Sequence, residues 1–178
     1  MQLTQDYFTL FELPCAFEID INTLSERYRK LQSQLHPDKF VNATEQERRL
    51  SIQKTAFVNE AYQTLKSPML RARYLLILNG VEFDDEKETH FDSEFLMEQI
   101  ELRESLSEIR SAENAVTELK QLMVGITQRK KAMESQLAVA LKTKGEEQNA
   151  KQMVQKMQFL IRLQQEADEL EEELLDSF

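Results

Sequence analysis

His36 and Asp38, with Pro37 between them, are the pair in this chain best placed to do chemistry. An imidazole and a carboxylate this close could share a proton as a general acid and base. They could equally act as fixed contacts: histidine supplies donors, aspartate supplies acceptors, and proline holds the backbone so that little entropy is lost on binding. The acid–base reading needs a pocket, which a solvent loop between two helices hardly provides. Arg29, Lys30 and Lys39 add positive charge nearby, and such a patch steers a negatively charged partner surface. Elsewhere there is no nucleophile beside a base, no phosphate loop and no cluster of metal ligands, so no catalytic residue, cofactor or metal is expected.

The elements around this pair follow from spacing. Leu24, Tyr28, Leu31 and Leu35 recur at intervals of 4, 3 and 4, which places them on one face of one helix. Asp20 caps its start, and Pro37 disfavours helical backbone at His36, so the helix ends at about Leu35. Arg27, Lys30 and Gln34 occupy another face. Before it, a short helix is expected over Asp6 to Leu13, stopped by Pro14. After a loop from Lys39 to Ala43, Thr44-Glu45-Gln46-Glu47 is a capping box. The helix it opens carries Leu50, Phe57, Ala61 and Leu65 on one stripe and ends near Ser67-Pro68. A fourth helix, Met69 to Leu78, closes at Asn79-Gly80.

Val81 to Asp92 is acidic and aperiodic and reads as a linker. Helices are then expected from Asp92 or Ser93 to about Arg110, from about Ala112 to Leu141, and from about Glu146 to Leu175, with Thr143-Lys144-Gly145 as the break. Short joins make these an antiparallel bundle. In the first of them, Phe95, Leu102, Leu106 and Ile109 fall within about 60° of one another, while Leu96, Met97 and Ile100 lie on a separate arc. Glu101, Arg103 and Glu104 border the two arcs. A bundle buries one wide face of each helix, so Phe95, Leu102, Leu106 and Ile109 should be buried and the second arc exposed. An exposed apolar arc rimmed by charge suits docking, although fuller burial of the helix would also account for it.

Three segments in order, Tyr28-Arg29-Lys30-Leu31, His36-Pro37-Asp38-Lys39 and Asn59-Glu60-Ala61-Tyr62-Gln63-Thr64-Leu65, resemble the J domain, which stimulates ATP hydrolysis by DnaK-type chaperones. The run Phe95-Leu96-Met97-Glu98-Gln99-Ile100-Glu101-Leu102-Arg103-Glu104 resembles the signature of the HscB family, J-type co-chaperones of iron–sulfur cluster assembly. The order of domains is similar across essentially the whole chain. The resemblance implies an all-α protein: a four-helix J domain over residues 1–79, a linker over 80–92 and an antiparallel three-helix scaffold-binding domain over 93–178, in an L or similar two-armed shape. It implies that His36, Pro37, Asp38, Lys39, Arg29 and Lys30 meet a chaperone of the HscA kind. It further implies that Leu96, Met97, Ile100 and Phe159 bind a cluster scaffold of the IscU kind, with Glu101 and Glu104 as polar partners. Ile100 stands where the family pattern has leucine. Phe159 lies at the rim of the last helix's stripe (Met153, Met157, Leu160, Ala167, Leu174) and should be partly exposed. Two other classes stay open: a general J protein presenting unfolded clients, and an enzyme using His36 and Asp38.

Composition narrows the classes further. The chain of 178 residues has only 3 Gly and 3 Pro, with 30% charged residues, as a mostly helical protein does. Its net charge of −10 is uneven: residues 1–78 carry +1 and residues 79–178 carry −11. An acidic second half argues against nucleic acid as a partner. No apolar run is longer than that of Tyr74 to Leu78, which cannot span a bilayer. No secretory or transit signal is evident at the N-terminus, and with a single cysteine a reducing cytoplasm is the simplest expectation. Cys15 is expected to pack as a small apolar residue after Pro14. His90 reads as a solvated linker histidine, and the acidic run from Glu166 to Glu173 as a solvated helical face.

Overall fold

The computed structural model describes residues 5–36, 44–84 and 93–176. Pro37, Asp38 and Lys39, the rest of the loop to Ala43, and residues 85–92 of the expected linker with His90 lie outside the described residues. All regular elements among the described residues are α-helices. The chain divides into two compact units, Met1–Asn79 and Gly80–Phe178.

The first unit contains α1 (Tyr7–Leu10), α2 (Ile21–Leu35), α3 (Glu45–Lys66) and α4 (Pro68–Leu78). Local chemistry sets most of these bounds. The Asp20 carboxylate accepts from the Asn22 N–H at 2.9 Å and starts α2. Thr44 and Glu47 close the capping box reciprocally at α3. Ser67 ends α3 and caps α4, where Pro68 takes the first turn because its missing N–H would have no helical partner there. Within this unit α1 is shorter than its expected Asp6 to Leu13. Asp6 is its cap, and the chain leaves the helix at Phe11, with Glu12 in left-handed backbone at φ 52°. Arg27 of α2 stabilises that exit: its Nη1 donates to the Phe11 carbonyl at 2.5 Å and also to the Glu12 carbonyl.

Phe8, Phe11, Phe17, Leu24, Val58, Ala61, Leu65 and Leu76 form the core of this unit. The buried face of α3 departs from the expected stripe. Ala61 and Leu65 are buried as expected, but Leu50 is 42% exposed, Phe57 is half-buried, and Ser51 and Val58 are buried instead. The neighbouring helix decides this. Ser51 packs where α3 meets the end of α2, and its hydroxyl donates to the Leu35 carbonyl at 3.4 Å, so a small hydrogen-bonded residue fits where a leucine would not. Arg71 is buried, with Nη1 donating to the Leu65 carbonyl at 2.5 Å and the guanidinium 5.1 Å from the Phe17 ring centre. Cys15 is exposed, contrary to expectation. The residues around it form bends rather than a packed element, and the aromatic side chains Phe11 and Phe17 fill the core on either side of it.

The second unit is a bundle of α5 (Ser93–Ile109), α6 (Ala115–Ala140) and α7 (Glu147–Asp176). Its core includes two linked clusters. Phe95, Leu102, Ile126, Phe159, Leu160 and Leu163 form one, and Ile109, Ala115, Leu119, Ala167 and Leu170 form the other, with half-buried Leu106 packed against both. The turn between α6 and α7 needs Gly145, whose φ of 91° is strained for any residue with a Cβ.

Candidate functional site: one contact surface on each unit

On the first unit, two sequence segments interlock to carry His36. The Tyr28 ring stacks on Tyr62 with centres 3.9 Å apart and planes 10° from parallel. The Tyr28 hydroxyl donates to Asn59 Oδ1 at 3.0 Å, and Gln32 Nε2 donates to the Tyr28 hydroxyl at 2.5 Å. These contacts hold α2 flat against α3 over the last turns before the loop. His36 then leaves the helix in extended backbone, φ −57° and ψ 134°, as the residue before a proline should. It is exposed, and it lines a shallow cleft with Arg29, Gln32, Ser33, Leu35 and Thr55.

The expected basic patch is divided by the helix. Arg29 shares the cleft with His36. Lys30, one residue on and therefore about 100° round the axis, lines a different groove with Arg27, Gln34 and the end of α1. Arg27 is committed to the Phe11 and Glu12 carbonyls just past α1, which leaves Lys30 as the more available cation on that side.

On the second unit, the two arcs of α5 separate as their spacing predicts. Phe95, Leu102 and Ile109 are 3%, 7% and 6% exposed and Leu106, expected to be buried with them, is half-buried, while Leu96, Met97 and Ile100 are 42%, 60% and 53% exposed. Glu101 and Glu104 are also exposed, beside the apolar arc. Phe159 differs from expectation. It is 8% exposed, a core residue rather than a partly exposed contact. Its ring meets Phe95 edge-on, at 5.7 Å and 89°, and the Arg103 guanidinium covers its other side at 5.6 Å. Phe159 therefore supports the helix that presents the arc. Lys156, which periodicity does not single out, places its ammonium 5.0 Å from the Phe95 ring centre; it lies three residues before Phe159 on the same face of α7. Glu98 and Arg129, 3.1 Å apart, tie α5 to α6 on the opposite flank.

Among the described residues no group of His, Cys, Asp or Glu side chains could hold a metal ion, and no helix is long and apolar enough to cross a membrane. What the geometry supplies is a rigid polar corner on one unit and an apolar, charge-rimmed strip on the other.

Residues 6–74 match the DnaJ domain, and residues 91–168 match the HSCB C-terminal oligomerisation domain. The chain is 41% identical over 173 residues to the co-chaperone protein HscB homolog of Shewanella pealeana, covering 96% of this chain and 99% of that one. Its fold is similar to chaperone HscB from Vibrio cholerae, at 37% identity and TM-score 0.85 over 96% of this chain and 99% of that structure. It is also similar to the human co-chaperone protein HscB, at 28% identity and TM-score 0.85 over 94% of this chain and 83% of that structure. A J-type first unit and an HscB-type second unit in one chain, matched end to end by such relatives, mean that this protein belongs to the HscB family of J-domain co-chaperones of iron–sulfur cluster assembly.

Proposed function

We propose that this chain is an adaptor that brings an iron–sulfur scaffold protein of the IscU kind to a DnaK-type chaperone of the HscA kind and stimulates that chaperone's ATPase. The observation that carries this reading is the exposed strip of Leu96, Met97 and Ile100 standing over a buried core. Three large apolar side chains left to water on one helix face are unfavourable for the free protein and favourable for a bound one. Glu101 and Glu104 beside the strip add polar specificity, and buried Phe159 with Arg103 holds its floor. The J-type unit supplies the other contact through His36, Pro37, Asp38 and Lys39, with Arg29 and Lys30 alongside. The division of labour follows residues 1–79, a linker at 80–92 and residues 93–178, and the protein works in the cytoplasm. The chain performs no reaction itself; it raises the local concentration of scaffold at a chaperone whose hydrolysis it triggers. A single compact strip favours a specific folded client over unfolded polypeptides, which a broad apolar surface would serve better.

Calorimetry with a scaffold of the IscU kind tests the reading. Leu96→Ala, Met97→Ala and Ile100→Ala combined should weaken binding tenfold or more, at least about 1.4 kcal/mol, while leaving scaffold-independent ATPase stimulation intact. Unchanged scaffold affinity in a folded triple variant would sink it.

A further inference from the structure

Ile52 on α3 is 68% exposed, more than any other exposed large hydrophobic side chain among the described residues. It does not stand alone. Arg48, Ile52, Thr55 and Asn59 are spaced 4, 3 and 4 and form one stripe of α3. Ser25, Arg29 and Gln32, spaced 4 and 3, form a stripe of α2, and His36 follows just past its end beside Arg29. The two stripes face the same side of the α2–α3 hairpin: Gln32 Nε2 lies 3.5 Å from Asn59 Oδ1, the Ser25 and Tyr62 hydroxyls are 3.3 Å apart, and Thr55 lines the cleft of His36 and Arg29. Ser51, the neighbour of Ile52, touches the Leu35 carbonyl just before His36. Arg29 and Arg48 are both exposed, and neither stripe contains a carboxylate. The nearby Glu45 is paired with Arg49 at 2.5 Å.

We propose that Ile52, flanked by Arg48 and Arg29, is a second contact for the DnaK-type chaperone, seating in an apolar socket on an acidic surface of that partner. This rests on the reading of the His36 arm given above and extends it from α2 to α3. The two contacts do different work. His36 and its loop trigger hydrolysis. Ile52 contributes affinity, because burying an exposed apolar side chain at the edge of a polar contact strengthens binding without adding to the trigger. Charge on the same face selects an acidic partner, since two exposed guanidinium groups repel a basic one.

The test measures steady-state ATPase of a purified chaperone of the HscA kind against increasing concentrations of the full-length chain. Ile52→Asp should raise the half-maximal concentration tenfold or more and leave the rate at saturation within twofold of the parent. Ile52→Ala should shift it in the same direction by a smaller factor, with an unchanged melting curve, so that the outcome does not hang on tolerance of a charge. His36→Gln should remove the rate at saturation instead. Leu50→Asp, the same change on the opposite side of α3, should behave as the parent. A half-maximal concentration within twofold of the parent for both Ile52 variants overturns the proposal, as does an equal loss from Leu50→Asp. An Ile52-dependent dimer in sedimentation, with stimulation unaltered, would assign the face to a second copy and overturn it too. If the parent chain itself gives no stimulation, the reading of the His36 arm falls, and this inference with it.

Discussion

Adjacent side chains here have opposite fates. Phe95 is buried and Leu96 exposed because 100° of helical rotation takes one side chain from the bundle interior to water. Mutations should separate them by stability. Phe159→Ala removes a ring packed edge-on against Phe95 and should cost about 3–5 kcal/mol, as buried phenylalanines do, read from urea unfolding. The Leu96, Met97 and Ile100 triple change should cost little in the same measurement, since water already reaches those side chains. Equal losses from both would show that the strip belongs to the core. At the other surface, His36→Gln should leave helical circular dichroism and melting temperature unchanged because the side chain is exposed, while chaperone ATPase stimulation collapses. Surviving stimulation would refute the trigger role.

Whole helices answer to their ends. The Thr23 hydroxyl and the Asn22 N–H hold the Asp20 carboxyl below the usual carboxylate range at the start of α2, and bonds from Thr44 do the same for Glu47 at the start of α3. Both groups bind protons more weakly in the folded chain than in the unfolded one. Their contribution to stability is therefore present above the unfolded value and lost as pH falls through the folded one. An asparagine at position 20 keeps an acceptor for the Asn22 N–H but cannot titrate. Asp20→Asn should thus flatten the decline of melting temperature below pH about 4, and a parallel decline in parent and variant would assign the acid sensitivity elsewhere. Tyr7 works in the other direction. Burial first, and then its hydrogen bond to Glu60, push its hydroxyl up to about 12. Its contribution is complete below the ordinary tyrosine value near 10 and is lost as pH rises from there through about 12.

Across the whole molecule, charge is segregated: a net of +1 over residues 1–78 and −11 over residues 79–178. Cations steer a partner only within the screening distance, about 10 Å at 0.1 M salt, so the arginines and lysines around His36 matter more than the total. Association with the chaperone should slow as salt rises. Reversing Arg29 and Lys30 to Glu should slow it further and reduce its dependence on salt, as stopped-flow measurements would read. A parent rate that is flat from low to high salt would show that this face is merely solvated.

Elements governed by nearest neighbours along the chain were legible without a structure. The Asp20 cap, the Thr44–Glu47 box, Pro68 and Gly145 all act within a turn or two, and the helix bounds follow them closely. So did the division of α5 into two arcs, which needs only the helical repeat. The fold class and family were legible too, because motif order survives as spacing. The faces turned toward other helices were not. Leu50 and Ser51 exchange burial because the end of α2 occupies one side of α3, not because either residue prefers it. Phe159 was placed at a rim by its position on a single helix, yet α5 brings Phe95 and Arg103 onto its ring and closes it off. Periodicity reports which side chains share a face; only the packed neighbours decide whether that face meets water.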